Sequence, residues 1–182
     1  GLGSYISGES MATRFNRDVL SQAGLEYVII KASANDIIYP VSADIISQYP
    51  GIQMPTAENI IDAYRKIFKQ CHEAGVKVVV ASITQWKGNT RDYFDEGVSQ
   101  YNRTEEEFQK DWQIAKDVNA WLASTNEHDG FVDLTEISAN PADRDSLFSD
   151  YSTDGMNPSE IGQRMWANYF PHSLIGVGSK TA

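Results

Sequence analysis

Apolar residues recur along this chain at two different spacings, one helical and one strand-like. Between residues 10 and 22, Met11, Phe15, Val19 and Leu20 fall at roughly helical intervals, and Gly24 closes the segment. Tyr27-Val-Ile-Ile-Lys-Ala32 follows as a short run of strand length, rich in β-branched residues. Thr56 is placed to cap a helix running to about Ala74, with Ile60, Ile61, Tyr64, Ile67, Phe68 and Cys71 as its apolar stripe. Gly75 ends that helix, and residues 77–83, Lys-Val-Val-Val-Ala-Ser-Ile, make the clearest buried strand in the chain.

The same alternation continues to the C-terminal region. Thr104 and Glu107 form a capping box before a helix that turns Phe108, Trp112, Ala115, Val118 and Leu122 inward. Gly130 precedes a strand, Phe131-Val-Asp-Leu134, and Pro158 opens a last helix through Phe170 that Pro171 terminates. Helices alternating with short apolar strands predict a mostly parallel sheet covered by helices on both faces. No repeat, linker or second domain interrupts the pattern, so residues 1–182 are expected to form a single domain. The stretches 33–55, 84–103 and 135–157 are long connections, each following a predicted strand. In an open α/β sheet the loops beyond the carboxyl ends of the strands carry the chemistry; surface elaboration is the plainer alternative.

Composition narrows the picture only in places. The 182 residues are 41% hydrophobic, enough for a sizeable core and too apolar for a disordered chain. A net charge of −10, with no basic stripe, argues against a general nucleic-acid binder. No run approaches the ~20 apolar residues of a membrane span, and no signal-peptide pattern precedes the first helix. Cys71 stands alone, so packing holds the fold and the compartment stays open, an extracellular one included. The three histidines, His72, His128 and His172, lack metal-ligand spacing, and no glycine-rich phosphate loop is present; neither a metal nor a cofactor is expected.

Three loop segments carry candidate chemistry, and each has an ordinary structural reading beside the functional one. Ser33-Ala-Asn35-Asp36 ends the first predicted strand. An Asn there can aim amide N–H groups at an oxyanion, and the segment also reads as an Asx turn. Ser7-Gly8-Glu-Ser10 offers the Gly8 N–H at a helix entrance, or simply a loop glycine beside a helix cap. Asp154-Gly-Met-Asn157-Pro158-Ser-Glu160 reads as a helix start, with Asn157 as N-cap, Pro158 at the first position and Glu160 at the third.

Taken in order, these segments resemble the SGNH or GDSL hydrolases, single-domain α/β esterases and lipases. Ser7-Gly8 with Arg14-Phe15-Asn-Arg-Asp18 is similar to the family's second block and its helix. Ser33-Ala-Asn35-Asp36 is similar to its Gly-x-Asn-Asp block, with Ser33 in place of Gly. Residues 56–80 resemble its helix-then-strand segment, and Asp154-Gly-Met-Asn157-Pro158 stands where Asp-x-x-His-Pro belongs. The resemblance covers about residues 5–170. It implies a three-layer α/β/α sandwich with a mostly parallel sheet, and a carboxylester or O-acetyl-glycan ester as substrate. It also implies an oxyanion hole from the Gly8 N–H and the Asn35 side chain, with Asp154 as the triad acid.

Two positions depart from the family. Asn157 occupies the place of the catalytic His, and an amide cannot act as a general base. The Gly-Asp-Ser block on the family's first strand has no counterpart, so the domain is expected to be N-terminally incomplete. Residues 1–8 are too short to replace that strand; an upstream segment or a partner chain is expected to supply it. The implied function is an ester-hydrolase relative that is catalytically incomplete as written. The alternative is a pseudoenzyme that binds a ligand or a protein partner.

Overall fold

The computed structural model describes residues 9–38, 55–89 and 104–176. Three strands, β1 (Tyr27–Ile30), β2 (Lys77–Ala81) and β3 (Gly130–Val132), form a parallel sheet in that order. Tyr27 pairs with Lys77 and Ile30 with Val80; Val79 pairs with Gly130 and Ala81 with Val132. Helix α1 (Met11–Phe15) runs directly into a π-helical turn, Asn16–Leu20, ahead of β1. A short α2 (Ala34–Ile38) follows β1, α3 (Ala57–Glu73) leads into β2, and α4 (Glu105–Ser124) lies between β2 and β3.

Alternating residues of each strand bury on opposite faces of the sheet, which is what demands helices on both sides. On one face Ile30, Val78 and Val80 pack with Phe15, Tyr64, Phe68, Trp112 and Leu122 from α1, α3 and α4. On the other, Val79, Ala81, Val132 and Leu134 pack with Trp166 and Phe170 of the last helix, α6 (Glu160–Tyr169), and with Leu174 beyond it. The result is a three-layer α/β/α arrangement around a mostly parallel sheet. None of the described helices is long and apolar enough to cross a membrane.

Helix starts follow the sequence closely where the cap is local. Thr56 accepts the Asn59 N–H, and Thr104 and Glu107 close the expected box around the start of α4. The strands stop two residues short of their apolar runs, because side chains take over from the ladder. Asn119 brackets Ile83, accepting its N–H at 2.8 Å and donating to its carbonyl at 2.9 Å. Ser82 Oγ likewise accepts the Leu134 N–H at 2.8 Å.

Two features differ from the sequence-based expectation. The loop after β3 contains a helical turn, α5 (Thr135–Ser138), and a small antiparallel pair, β4 (Ala139–Asn140) and β5 (Asp143–Leu147). Asp145 of β5 accepts hydrogen bonds from Trp112 Nε1 and Gln109 Nε2, both at 2.9 Å, fastening that pair to α4. The last helix starts later than Asn157 and Pro158 suggest. Its N-cap is Ser159, whose hydroxyl accepts the Gly162 N–H, and Glu160 turns instead to Arg164. Asn157 is not free to cap, because its side chain is bonded to Asp154, and Pro158 bridges back to Ser152.

The outer edge of β1 is open: among the described residues no strand pairs with it, and Ile29 on that strand is 51% exposed. A groove of about 200 Å³ runs between α1 and β1, lined by Met11, Phe15, Val19, Val28 and Ile29 among others. On α6, Ile161 and Tyr169 are also exposed, with the partly covered Met165 between them at helical spacing.

Candidate functional site

A cleft of about 210 Å³ opens beyond the carboxyl ends of β1 and β2, and its lining includes Lys31, Ser33, Asn35, Thr84 and Asn157. Two of the predicted site residues, Asn35 and Asn157, therefore meet there although they are 122 positions apart in sequence. Asp154 stands directly behind Asn157. Gly8 lies outside the described residues.

The chain turns sharply from β1 into α2 at Ser33, whose φ of +83° is the left-handed region that favours glycine. Its carbonyl accepts the N–H groups of Asp36 and Ile37, so Ser33 closes the first turn of α2 and sets Asn35 at the cleft. The Ser33 hydroxyl is enclosed near the Tyr64 hydroxyl without a well-formed hydrogen bond. Tyr64 Oη itself donates to the Ala32 carbonyl at 3.3 Å. Ser33→Gly relieves the backbone strain and removes the unpaired hydroxyl, so it is expected to stabilise the fold by about 1 kcal/mol. The melting temperature should rise by roughly 2–4 °C, and an unchanged or lower value would count against strain at this turn.

Asp154 is the organising group of the opposite wall. Its Oδ1 accepts the backbone N–H groups of Met156 at 2.9 Å and Asn157 at 2.7 Å, together with the Ser152 hydroxyl at 3.2 Å. Its Oδ2 accepts Asn157 Nδ2 at 2.7 Å. Partial burial alone would raise the carboxyl's pKa, but these hydrogen bonds to the charged form outweigh it and hold the group below the usual carboxylate range. Asp154 is thus ionised at neutral pH and holds the Asn157 side chain in place. Gly155, at φ +76°, lets the same loop close against the Gly88 carbonyl and Asn89, where a Cβ would stand 2.9 Å from the carbonyl oxygen.

Lys31 was not among the residues singled out from the sequence. It ends the apolar run of β1 on the face opposite Ile30, and its Nζ donates to Thr84 Oγ1 at 3.3 Å and lies 4.5 Å from the Trp166 ring centroid. The residue is exposed overall, but its side chain packs along the clefts it lines, and the desolvation of its ammonium there lowers its pKa to about 8. The signal in the sequence was a lone charge terminating a strand of four apolar residues, which also reads as an ordinary strand end.

The histidines are elsewhere. His72 Nε2 meets Asp129 Oδ2 at 2.9 Å, and Asp129 also accepts the Val78 N–H, at the amino edge of the sheet. His128 bonds the Leu122 carbonyl, and His172 begins a 3₁₀ turn after Pro171. None of them is among the residues lining the cleft.

No protein-family model and no curated protein matches this chain. Solved structures do. A candidate acylhydrolase from Bacteroides fragilis matches with a TM-score of 0.66 at 19% identity, over 91% of this chain and 68% of its own. A GDSL-like lipase from Bacteroides thetaiotaomicron matches with a TM-score of 0.63 at 16% identity, over 91% and 69%. An acetyl xylan esterase matches with a TM-score of 0.55 at 16% identity, over 92% and 74%. At such identities the likeness establishes a shared fold.

Proposed function

We propose that the chain is a single SGNH-hydrolase-like domain, a relative of esterases acting on carboxylesters or O-acetylated glycans, with its catalytic base replaced. The observation that carries this reading is the Asp154–Asn157 pair at the mouth of the cleft. A carboxylate held ionised donates its orientation to position 157, and the side chain there hydrogen-bonds to it at 2.7 Å. That is the relation a triad acid has to its histidine, with an amide standing where the base should be. Asn35 lines the same cleft, and its enclosed Oδ1 has no hydrogen-bond partner; its Nδ2 is suited to donating to an oxyanion, while Gly8, which the resemblance pairs with it, lies outside the described residues.

In this reading the protein is silent, or nearly so, as an esterase, because Asn157 cannot take a proton from a nucleophile. Hydrolysis of p-nitrophenyl acetate by the full-length protein and its Asn157→His variant tests it. A rate raised by orders of magnitude in the variant supports a damaged esterase site; flat activity in both overturns it. The same amide favours the second reading, a pseudoenzyme whose cleft binds a small molecule or glycan, or whose surface binds a protein partner.

The edge of β1, unpaired among the described residues, supports a further part of the proposal: a strand of another chain pairs along Tyr27–Ile30. An unpaired edge in a parallel sheet leaves backbone N–H and C=O groups available to another chain. Ile29→Lys places a charge in the groove and is expected to suppress self-association. Light scattering on the eluting protein at rising concentration should show a smaller mass for the variant; equal masses at all concentrations would mean that this edge recruits nothing.

A further inference from the structure

Lys31 is a cation without an anion. Among the described residues no carboxylate lies within ion-pair distance of its Nζ, which contacts the Thr84 hydroxyl and the Trp166 ring. The chain carries ten more acidic than basic residues, so an uncompensated ammonium is not explained by a shortage of carboxylates. Several other cations do have such partners: Arg17 pairs with Asp18 and Glu9, Arg65 with Asp62 and Glu127, and Lys87 with Glu105 and Asp143, whereas Lys66, Lys77, Lys110 and Lys116, all exposed, have none among the described residues. Those pairs are on the surface. Of the described lysines without an ion pair, Lys31 is the one that lines the cleft.

Placing an ammonium where desolvation disfavours its charge costs stability unless something returns the favourable interaction. The neighbours of Lys31 hold it in place without neutralising it. The Trp166 face fixes its position through the attraction of a cation for the ring quadrupole, and the Thr84 hydroxyl takes one of its three N–H groups. The remaining donors have no protein acceptor among the described residues, and Asn35 and Asn157 line the same cavity.

We propose that this cleft binds the carboxylate of an acidic small molecule, with the Lys31 ammonium as its counter-ion and the Asn35 and Asn157 amides as flanking hydrogen-bond partners. This deepens the reading above and rests on it, since it assigns a charge to the ligand of the same site. A monoanion suits the site better than a phosphate dianion: among the described residues only one cation lines it, and ionised Asp154 lies directly behind Asn157 and repels a second negative charge.

The probes are glucuronate, glucose and inorganic phosphate, titrated separately into the ¹⁵N-labelled full-length protein at neutral pH while backbone amide shifts are followed. Glucuronate should bind about tenfold or more tightly than glucose, as expected of a charge-assisted pair, with shifts at residues 31–35 and 156–157. Lys31→Met should abolish that preference, and Lys31→Arg, which keeps the charge, should retain most of it. Equal affinities for the two sugars, no binding of either, tighter binding of phosphate, or a preference that survives in Lys31→Met would each overturn the proposal. If Lys31→Met does not fold, the wild-type comparison and Lys31→Arg decide the matter. Ester turnover by Asn157→His is a separate readout, so loss of the carboxylate preference leaves the esterase reading standing, and absence of turnover leaves the preference measurable.

Discussion

Asn157→His is expected to raise ester hydrolysis by roughly 10²–10⁴-fold, the contribution of a positioned general base. The physical argument starts from what is already built. Asp154 Oδ2 accepts a hydrogen bond from Asn157 Nδ2 at 2.7 Å, and the carboxylate is held ionised by three further donors on its other oxygen. A histidine at 157 can donate Nδ1–H to the same oxygen, which fixes the tautomer and leaves Nε2 to face the cleft as base. The neighbouring carboxylate favours the imidazolium, so the rate should rise with pH through a single ionisation at or above the ordinary ~6.5 of histidine. Adding Asp154→Asn to the variant should remove most of the gain by releasing the ring. A variant that folds, shows the imidazole titration by NMR and still hydrolyses nothing would refute the esterase reading.

The second large effect concerns stability. Gly162→Ala is expected to destabilise the fold by about 3 kcal/mol, the upper part of the range for forced overpacking. A Cβ at this position would stand 2.3 Å from the Tyr151 carbonyl oxygen and 3.1 Å from its carbon. These are backbone atoms, and they cannot swing aside as a side chain would. The Tyr151 carbonyl is also the acceptor of the Ser159 N–H at 2.7 Å, so any shift breaks the contact that closes the loop over residues 152–158. Alanine normally improves a helix relative to glycine by nearly 1 kcal/mol, which makes the sign of this prediction informative. Urea unfolding should show a lower midpoint with an unchanged slope, and the amide signals of Asp154 to Asn157 should move most. A midpoint equal to or above wild type would show that the first turn of α6 has room to relax.

How much of this was legible in the sequence depended on how local the signal was. Thr56, and Thr104 with Glu107, announced helix starts because a cap involves only residues three apart. Val78, Val79 and Val80 announced a buried strand because both of its faces are covered. The start of α6 misled for the same reason: Asn157-Pro158 satisfies every local rule for a helix entrance, but Asp154 competes for the Asn157 side chain, and the cap passes to Ser159. The small β4–β5 pair was missed because Asp143-Arg-Asp-Ser-Leu147 has no apolar alternation; its hold on α4 runs through Asp145 and the Trp112 indole, a contact 33 residues apart in sequence.

The sequence by itself determined the alternation of helices and strands, the two covered faces of the sheet, and the candidate positions Asn35, Asp154 and Asn157. These follow from periodicity and from motif order, both properties of a line. Only the tertiary structure decided that Asn35 and Asn157 line one cleft, that Ser33 turns the chain with a left-handed backbone, and that the outer edge of β1 stands open among the described residues. It alone brought Lys31 beneath the Trp166 ring, 135 positions away, with no carboxylate beside it. The reason is physical: charge compensation and burial are set by what surrounds an atom in space, and a side chain's neighbours across a sheet edge leave no trace in the residues next to it along the chain.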